Sequence, residues 1–308
     1  MYPPAHSVGG TWTPLPELVY AVNHMESQKK FKPTFSIEFF PPKTEEGRVK
    51  LIEAREALAT LSPAYFSVTF GAGGSTQQGT YDTVKEIIDA GYNAAPHISC
   101  IGSTRAKIQQ MLQDYIAIGV KRLVALRGDL PSGMGGVAGE FRHANELVEF
   151  IRKETGDRFH IEVAAYPEFH PQASTAEKDL ENFKRKVEAG ANSAITQYFY
   201  CIDAYYNFVD SCEKMGLGIA IVPGVMPITN YKQLARFSDA CGAEIPQWLS
   251  KRLQSFGDDI DSLRKFGFEV TVKLCRDLLD LGAPGLHFYS MNKDEPTRSI
   301  WQSLGLQN

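Results

Sequence analysis

Short apolar runs recur along the chain at 35–40, 65–70, 94–100, 121–126, 160–166, 193–199, 218–222 and 285–289, each the length of a buried strand. Between them apolar residues return at helical spacing: Val49, Ile52, Leu58 and Leu61 after the first run, Ile108, Met111, Leu112 and Tyr115 after the third, Leu147, Phe150 and Ile151 after the fourth. Gly91, Gly119, Gly156, Gly190 and Gly216 each stand just before a run, where a helix ends most easily. Eight alternating strand–helix units predict a parallel sheet closed into a (β/α)8 TIM barrel. An open doubly wound sheet is the alternative, but no G-x-G-x-x-G follows the first strand, and Gly71-Ala72-Gly73-Gly74-Ser75-Thr76 lacks the third glycine. Two additions are expected: an extra N-terminal helix over 15–24, and a helix-rich insertion over 230–281 before the last strand. The insertion breaks at Glu244-Ile245-Pro246, then runs as a long helix through Phe268, Val272, Leu274, Cys275 and Leu278. Without repeat or linker, residues 1–308 read as one catalytic domain, with 1–30 as an extension.

Composition narrows the partners. A net charge of −4 with both signs interspersed offers no basic face for nucleic acid or anionic lipid, and 43% hydrophobic content suits a soluble protein with a substantial core. That favours a small-molecule partner. Cys100, Cys201, Cys212, Cys241 and Cys275 are odd in number and form no C-x-x-C pair, as expected of reduced thiols in the cytoplasm rather than of a metal site. No run approaches a membrane span, and the start lacks a secretion signal.

Candidate chemistry gathers at strand ends, where barrels of this class work. Phe35-Ser36-Ile37-Glu38-Phe39-Phe40-Pro41-Pro42 is a strand stopped by two prolines, with Ser36, Glu38 and Phe40 on one face. A carboxyl buried there without compensating donors has a raised pKa, as a general acid near neutral pH requires; the alternative is a Glu paired with a neighbouring Arg or exposed at the strand end. Thr69, His97, Arg127-Gly128-Asp129, Tyr166, Gln197, His287 and Tyr289 end the other strands. After the fifth, Asp179, Asn182 and Lys186 fall at i, i+3 and i+7 of a polar helix, on one face that suits a ribose and a pyrophosphate. The glycine-rich segment 130–136 after the fourth suits close approach to a ligand or a lid.

The wording of these segments carries more than their pattern. Phe35-Ser36-Ile37-Glu38-Phe39-Phe40-Pro41-Pro42-Lys43, Ala95-Pro96-His97, Ala125-Leu126-Arg127-Gly128-Asp129-Leu130-Pro131, Ala164-Ala165-Tyr166-Pro167-Glu168-Phe169-His170-Pro171, Lys184-Arg185-Lys186-Val187-Glu188-Ala189-Gly190-Ala191 and Ala194-Ile195-Thr196-Gln197-Tyr198-Phe199 resemble the bacterial methylenetetrahydrofolate reductases, in order from about Phe35 to Trp301. The resemblance implies a flavoprotein in which FAD takes a hydride from NADH or NADPH and passes it, by ping-pong kinetics, to 5,10-methylenetetrahydrofolate. The product, 5-methyltetrahydrofolate, feeds methionine synthesis.

Carried over by motif, Glu38 is the acid that protonates the folate bridge nitrogen and opens the ring to an electrophilic iminium. Asp129 lies near the flavin and pterin and tunes the potential. Gln197 holds the pterin, Phe237 packs on either substrate, and Tyr289 and Lys293 meet the folate tail, although relatives commonly carry Arg at the last position. Thr69, His97, Arg127, Gly128, Asp129, Tyr166, His170, Asp179, Asn182, Arg185 and Lys186 match FAD-binding positions. Homo-oligomers are common in the family, so one is expected here. Two rival readings stand beside this one. A proline-dehydrogenase-like flavin barrel would need a substrate-carboxylate cation that 285–292 does not supply. A non-catalytic folate-binding subunit would not need Glu38, Asp129 and Gln197 together.

Overall fold

The computed structural model describes residues 25–71, 77–128 and 139–307. The segment 15–24, read above as a helix, and Asp129 with the glycine-rich 130–136 lie outside the described residues. Parallel strands β1 (Thr34–Phe39), β2 (Phe66–Val68), β3 (Ala94–Ser99), β4 (Arg122–Leu126), β5 (His160–Ala165) and β6 (Ser193–Thr196) pair in sequence order. Next come β7 (Ala220–Val222), β8 (Gly224–Val225) and β9 (Gly285–Tyr289), the last pairing with β1. The seventh expected strand is thus two pieces. Pro223 has no N–H for a ladder, so β7 pairs with β6 while β8 pairs with β9. The Pro223 carbonyl accepts the His287 N–H at 2.9 Å, and through this kinked strand the sheet closes into the expected barrel.

Gly224, just past the kink, makes the crossing possible: a Cβ there would meet the Thr196 carbonyl and lie 2.7 Å from the Tyr289 ring. Between the strands run α2 (Glu45–Ala59), α3 (Gln77–Asp89), α4 (Arg105–Ala117), α5 (Ala144–Thr155), α6 (Ala176–Glu188) and α7 (Ile202–Lys214). The five glycines expected to end helices all have positive φ. The insertion forms α8 (Tyr231–Cys241), α9 (Gln247–Ser255) and the long α10 (Ile260–Leu281), with its break where Pro246 falls, and α11 (Thr297–Leu304) follows β9.

Strand alternation sorts the barrel. Phe35, Ile37 and Phe39 point out into the helical layer, where Trp301 of α11 packs edge-on to Phe35 and against Phe288, each at 5.7 Å. Burial of side chains this size contributes about 1.5–3 kcal/mol each. In α4 and α5 the expected faces, Ile108, Met111, Leu112 and Tyr115, and Leu147, Phe150 and Ile151, are buried. The reading of α2 is corrected: Val49 is 47% exposed, and the buried row is Leu51, Ala54, Arg55 and Leu58. Arg55 can join it because its stem packs inward while the guanidinium meets Glu56 at 2.6 Å and the Tyr92 ring.

A short helix, α1 (Glu26–Lys29), lies beneath the strand N-termini. There Gln28 donates to the Ile219 carbonyl and accepts from the Ile221 N–H at 2.9 Å, and the Met25 N–H donates to Leu281. No helix among the described residues is long and apolar enough to cross a membrane.

Candidate active site

The strands deliver an unusually polar set of side chains to the barrel interior. Ser36 and Glu38 project inward from β1, Ser67 from β2, His97 from β3, Arg122 from β4, His160 and Glu162 from β5, Ser193 from β6, and His287 and Tyr289 from β9. In register, Glu38 sits beside Ser67 and Tyr289, two residues above Ser36 and His287. Glu38 is therefore the upper carboxylate, at the mouth. Its side chain is 18% exposed, and its Oε2 lies 3.4 Å from His97 Nε2 and 3.5 Å from His287 Nε2.

The alternative of a cation pair does not hold: Glu38 faces two imidazoles and no Lys or Arg among the described residues. Burial pushes His97 below the usual histidine range despite the carboxylate beside it, which keeps it neutral. His97 Nε2 is buried without a hydrogen-bond partner among the described residues. Such an atom marks an open site. The Tyr289 hydroxyl donates to the Thr196 carbonyl at 2.7 Å and ties β9 to β6.

A cleft of about 370 Å³ lies over the C-terminal ends of β3 to β5, walled by α5 and α6, within the roughly 300–1,000 Å³ usual for small-molecule sites. Its walls include Arg127, Gly128, Tyr166, His170, Asp179, Asn182 and Lys186, so α6 does turn the expected face to one cavity. The local folding is visible in the caps: Thr175 accepts the Lys178 N–H at 3.2 Å and starts α6 at the rim, while Asp179 accepts the His170 N–H at 2.9 Å and pins the preceding loop. The His170 ring meets Tyr166 edge-on at 4.6 Å. Arg127 donates to Gln172 at 2.5 Å.

Gly128 has φ +89°, and a Cβ there would strike the Ser99 hydroxyl and sit 2.9 Å from Ile101, so only bare backbone fits beside the cleft. Lys186 reaches the Ala164 carbonyl at 2.5 Å, but no carboxylate stands within ion-pair distance among the described residues. Burial lowers its pKa to about 8. A desolvated ammonium of this kind is completed by an anion.

Other candidates fall elsewhere. Arg185 points away into a shallower depression with Asn145, Glu149, Arg152 and Glu188. Thr69 follows β2, its N–H bonded to Phe39 and its carbonyl to Thr80. Phe237, Tyr289 and Lys293 line a second pocket of about 150 Å³ with Phe40 and Gln233. Gln197 follows β6 with its Oε1 accepting the Tyr198 N–H at 3.0 Å. His143, Asn145 and Gln172 also line the large cleft and were not anticipated; they sit in loops or at a helix start, with no strand pattern to expose them. Glu162 was missed as well, although Ile161-Glu162-Val163 carries the same signal as Ile37-Glu38-Phe39, a carboxylate alternating with apolar strand residues.

This geometry defines a class: a (β/α)8 barrel whose rim combines a carboxyl between two imidazoles, a desolvated lysine and a long cleft. Comparison with known proteins places the chain more finely. Residues 23–305 match the family model for methylenetetrahydrofolate reductase. The chain is 38% identical over 288 residues to the 5,10-methylenetetrahydrofolate reductase of Escherichia coli (strain K12), covering 93% of this chain and 96% of that protein. It is 36% identical over 295 residues to methylenetetrahydrofolate reductase (NADH) 1 of Zea mays, covering 92% of this chain and 50% of that longer protein. A solved structure of a protein from Clostridium thermocellum, described as binding two copies of 5-methyl-5,6,7,8-tetrahydrofolic acid, shares the fold with a TM-score of 0.63 at 15% identity, over 91% of this chain and 95% of the other. The chain belongs to the methylenetetrahydrofolate reductase family.

Proposed function

We propose that this protein reduces 5,10-methylenetetrahydrofolate to 5-methyltetrahydrofolate with electrons from NADH or NADPH, using FAD as carrier and Glu38 as the acid. The observation that carries this reading is the placement of Glu38 at the barrel mouth between His97 and His287, with His97 Nε2 lacking a hydrogen-bond partner among the described residues, on the same rim as a cleft over β3 to β5 that holds the desolvated Lys186. When bound, FAD supplies a two-electron carrier that accepts hydride from the nicotinamide and yields it to the folate. The residues present fit such a group: Lys186 and Arg127 offer positive charge for its phosphates, Asp179 and Asn182 offer polar atoms for its sugar, and Gly128 leaves backbone exposed for close approach.

Glu38 gives a proton to the folate bridge nitrogen and so opens the one-carbon ring for reduction. His97 and His287 flank its carboxyl without neutralising it by a fixed cation. Phe237 and Lys293 bound the pocket that receives the folate tail, and Gln197 meets the pterin once its amide turns from the Tyr198 N–H. Asp129, outside the described residues, is given no position.

Anaerobic stopped-flow absorbance tests the whole reading. Mixing the yellow protein with NADH or NADPH should bleach the flavin, and adding 5,10-methylenetetrahydrofolate should restore it. A colourless protein that FAD cannot reconstitute would remove the flavin from the account, and bleaching without recovery would remove the folate.

A further inference from the structure

Glu38 is held loosely at its tip. Among the described residues its carboxylate approaches two imidazoles, at 3.4 and 3.5 Å, beyond the roughly 2.7–3.2 Å of a close N–H···O bond. Its placement therefore depends on the main chain that carries it, and that main chain is held from both sides. On one side the Thr69 N–H donates to the Phe39 carbonyl at 2.9 Å. On the other, β1 and β9 run in register as far as Glu38 and Tyr289, where the regular pairing stops. Side chains of the loop after β9 then take over. The buried Ser290 donates its hydroxyl to the Glu38 carbonyl at 2.6 Å, while the Asn292 side chain accepts the Phe40 N–H at 2.9 Å and donates to the Phe40 carbonyl at 2.8 Å. These two contacts fix which way round the Asn292 amide lies, since reversal would set donor against donor and acceptor against acceptor. Phe40 is the last residue that offers both an N–H and a carbonyl before Pro41 and Pro42.

We infer that Asn292, seconded by Ser290, is a positioning residue for Glu38: its amide extends the β1–β9 pairing beyond the last regular rung and fixes the segment that carries both the acid and Phe40. The backbone of the loop is shaped for this task. Met291 and Asn292 have φ of 55° and 57°, a left-handed region that asparagine enters comparatively easily and methionine rarely. The Lys293 N–H closes the turn on the Ser290 carbonyl at 3.1 Å. Successive left-handed residues persist only where their surroundings over-determine them, and the three bonds to β1 do so here. The same turn carries Met291 and Lys293 to the pocket of about 150 Å³ that Phe40 and Phe237 also line. Acid and pocket are thus built on one cross-linked unit, and loosening the clamp disturbs the step that needs both.

The consequence for the reaction rests on the proposed role of Glu38; the clamp itself can be read without turnover. Asn292→Gly removes the amide but keeps a residue that accepts a left-handed φ, so the turn should survive. Hydrogen exchange at the Phe40 amide, followed by nuclear magnetic resonance, should be slow in the unaltered protein and about tenfold or more faster in Asn292→Gly. In the holoenzyme with FAD, reoxidation of the flavin by 5,10-methylenetetrahydrofolate should slow about tenfold or more in that variant, because a misplacement of about 1 Å can cost roughly 10²-fold. Bleaching by the nicotinamide, which draws no proton from Glu38, should stay within about threefold. Ser290→Ala should slow the folate step by less, and Ser290→Thr, which keeps the hydroxyl, should restore it. Normal folate reoxidation in Asn292→Gly, equal slowing of both half-reactions, or a Phe40 amide that exchanges freely in the unaltered protein would overturn the inference. Phe40 protection that depends on Asn292, in a protein that never reduces the folate even unaltered, would instead sink the proposed activity.

Discussion

The floor and the mouth of this barrel are built from the same kinds of residue and differ in how fully those residues are satisfied. At the floor Glu162 has three donors, His160 and Ser193 are bonded to each other, and Gln28 closes the ring from below. At the mouth Glu38 has only two imidazoles at 3.4 and 3.5 Å, His97 Nε2 has no hydrogen-bond partner among the described residues, and Lys186 has a carbonyl but no carboxylate there. Buried polar groups cost stability unless paired, so a complete network is architecture and an incomplete one is retained for a ligand. Counting buried charges alone would have marked both ends as sites.

The contrast can be broken most forcefully at the floor. Glu162→Ala leaves Arg122 and Tyr65 facing a cavity without their carboxylate, and removing one partner of a buried pair costs about 3–5 kcal/mol. Urea unfolding of the apoprotein should show a loss of that size, and a loss below about 1 kcal/mol would mean the floor network is not structural. At the mouth the expectation inverts. Lys186→Met should leave apoprotein stability unchanged or raised, because a desolvated cation is replaced by an apolar chain, while FAD affinity falls about 10- to 100-fold through loss of a charged hydrogen bond of roughly 1.5–3 kcal/mol. Calorimetric titration with FAD, beside unfolding of the same variant, separates the two effects. Equal destabilisation and intact affinity would make Lys186 part of the scaffold.

A smaller effect appears with pH. Burial and the neighbouring Arg122 lower His160 to about 4 from an ordinary 6.5, so between these values the unfolded chain binds more protons than the folded one. Stability should therefore fall as pH drops from about 6.5 to about 4, with no further change from this residue below that. Thermal midpoints of His160→Gln should fall less steeply over the same window. Parallel curves would leave the acid sensitivity to other groups.

Much of the fold was legible because period-2 and period-3.6 patterns alternate cleanly, and helix-ending glycines mark the returns to β3, β4, β5, β6 and β7. The kink at Pro223 was not, since a proline after an apolar run reads as the strand's end and only closure shows that β8 continues it. Val49 misled for another reason: α2 is weakly amphipathic, and one step of rotation exchanges its Val49–Ile52 row for Leu51–Ala54–Arg55–Leu58. Strand-end position and family wording together brought Glu38, His97, Arg127, Tyr166 and the α6 residues to the rim, but position cannot reveal which polar residues satisfy one another. Tyr289 and Glu162 show this. The Tyr289 hydroxyl is tied to Thr196, and Glu162, whose strand pattern matches that of Glu38, anchors the interior instead.

The central claim is that the carboxyl at the mouth is chemically active while the one at the floor is structural. The direct measurement is a comparison of the two half-reactions in Glu38→Gln by anaerobic stopped flow. Flavin should be bound and bleached by the nicotinamide at nearly the normal rate, whereas reoxidation by 5,10-methylenetetrahydrofolate should fall by about 10²-fold or more, because only that step draws a proton from Glu38. Reoxidation at the normal rate would contradict the account and remove Glu38 from the chemistry.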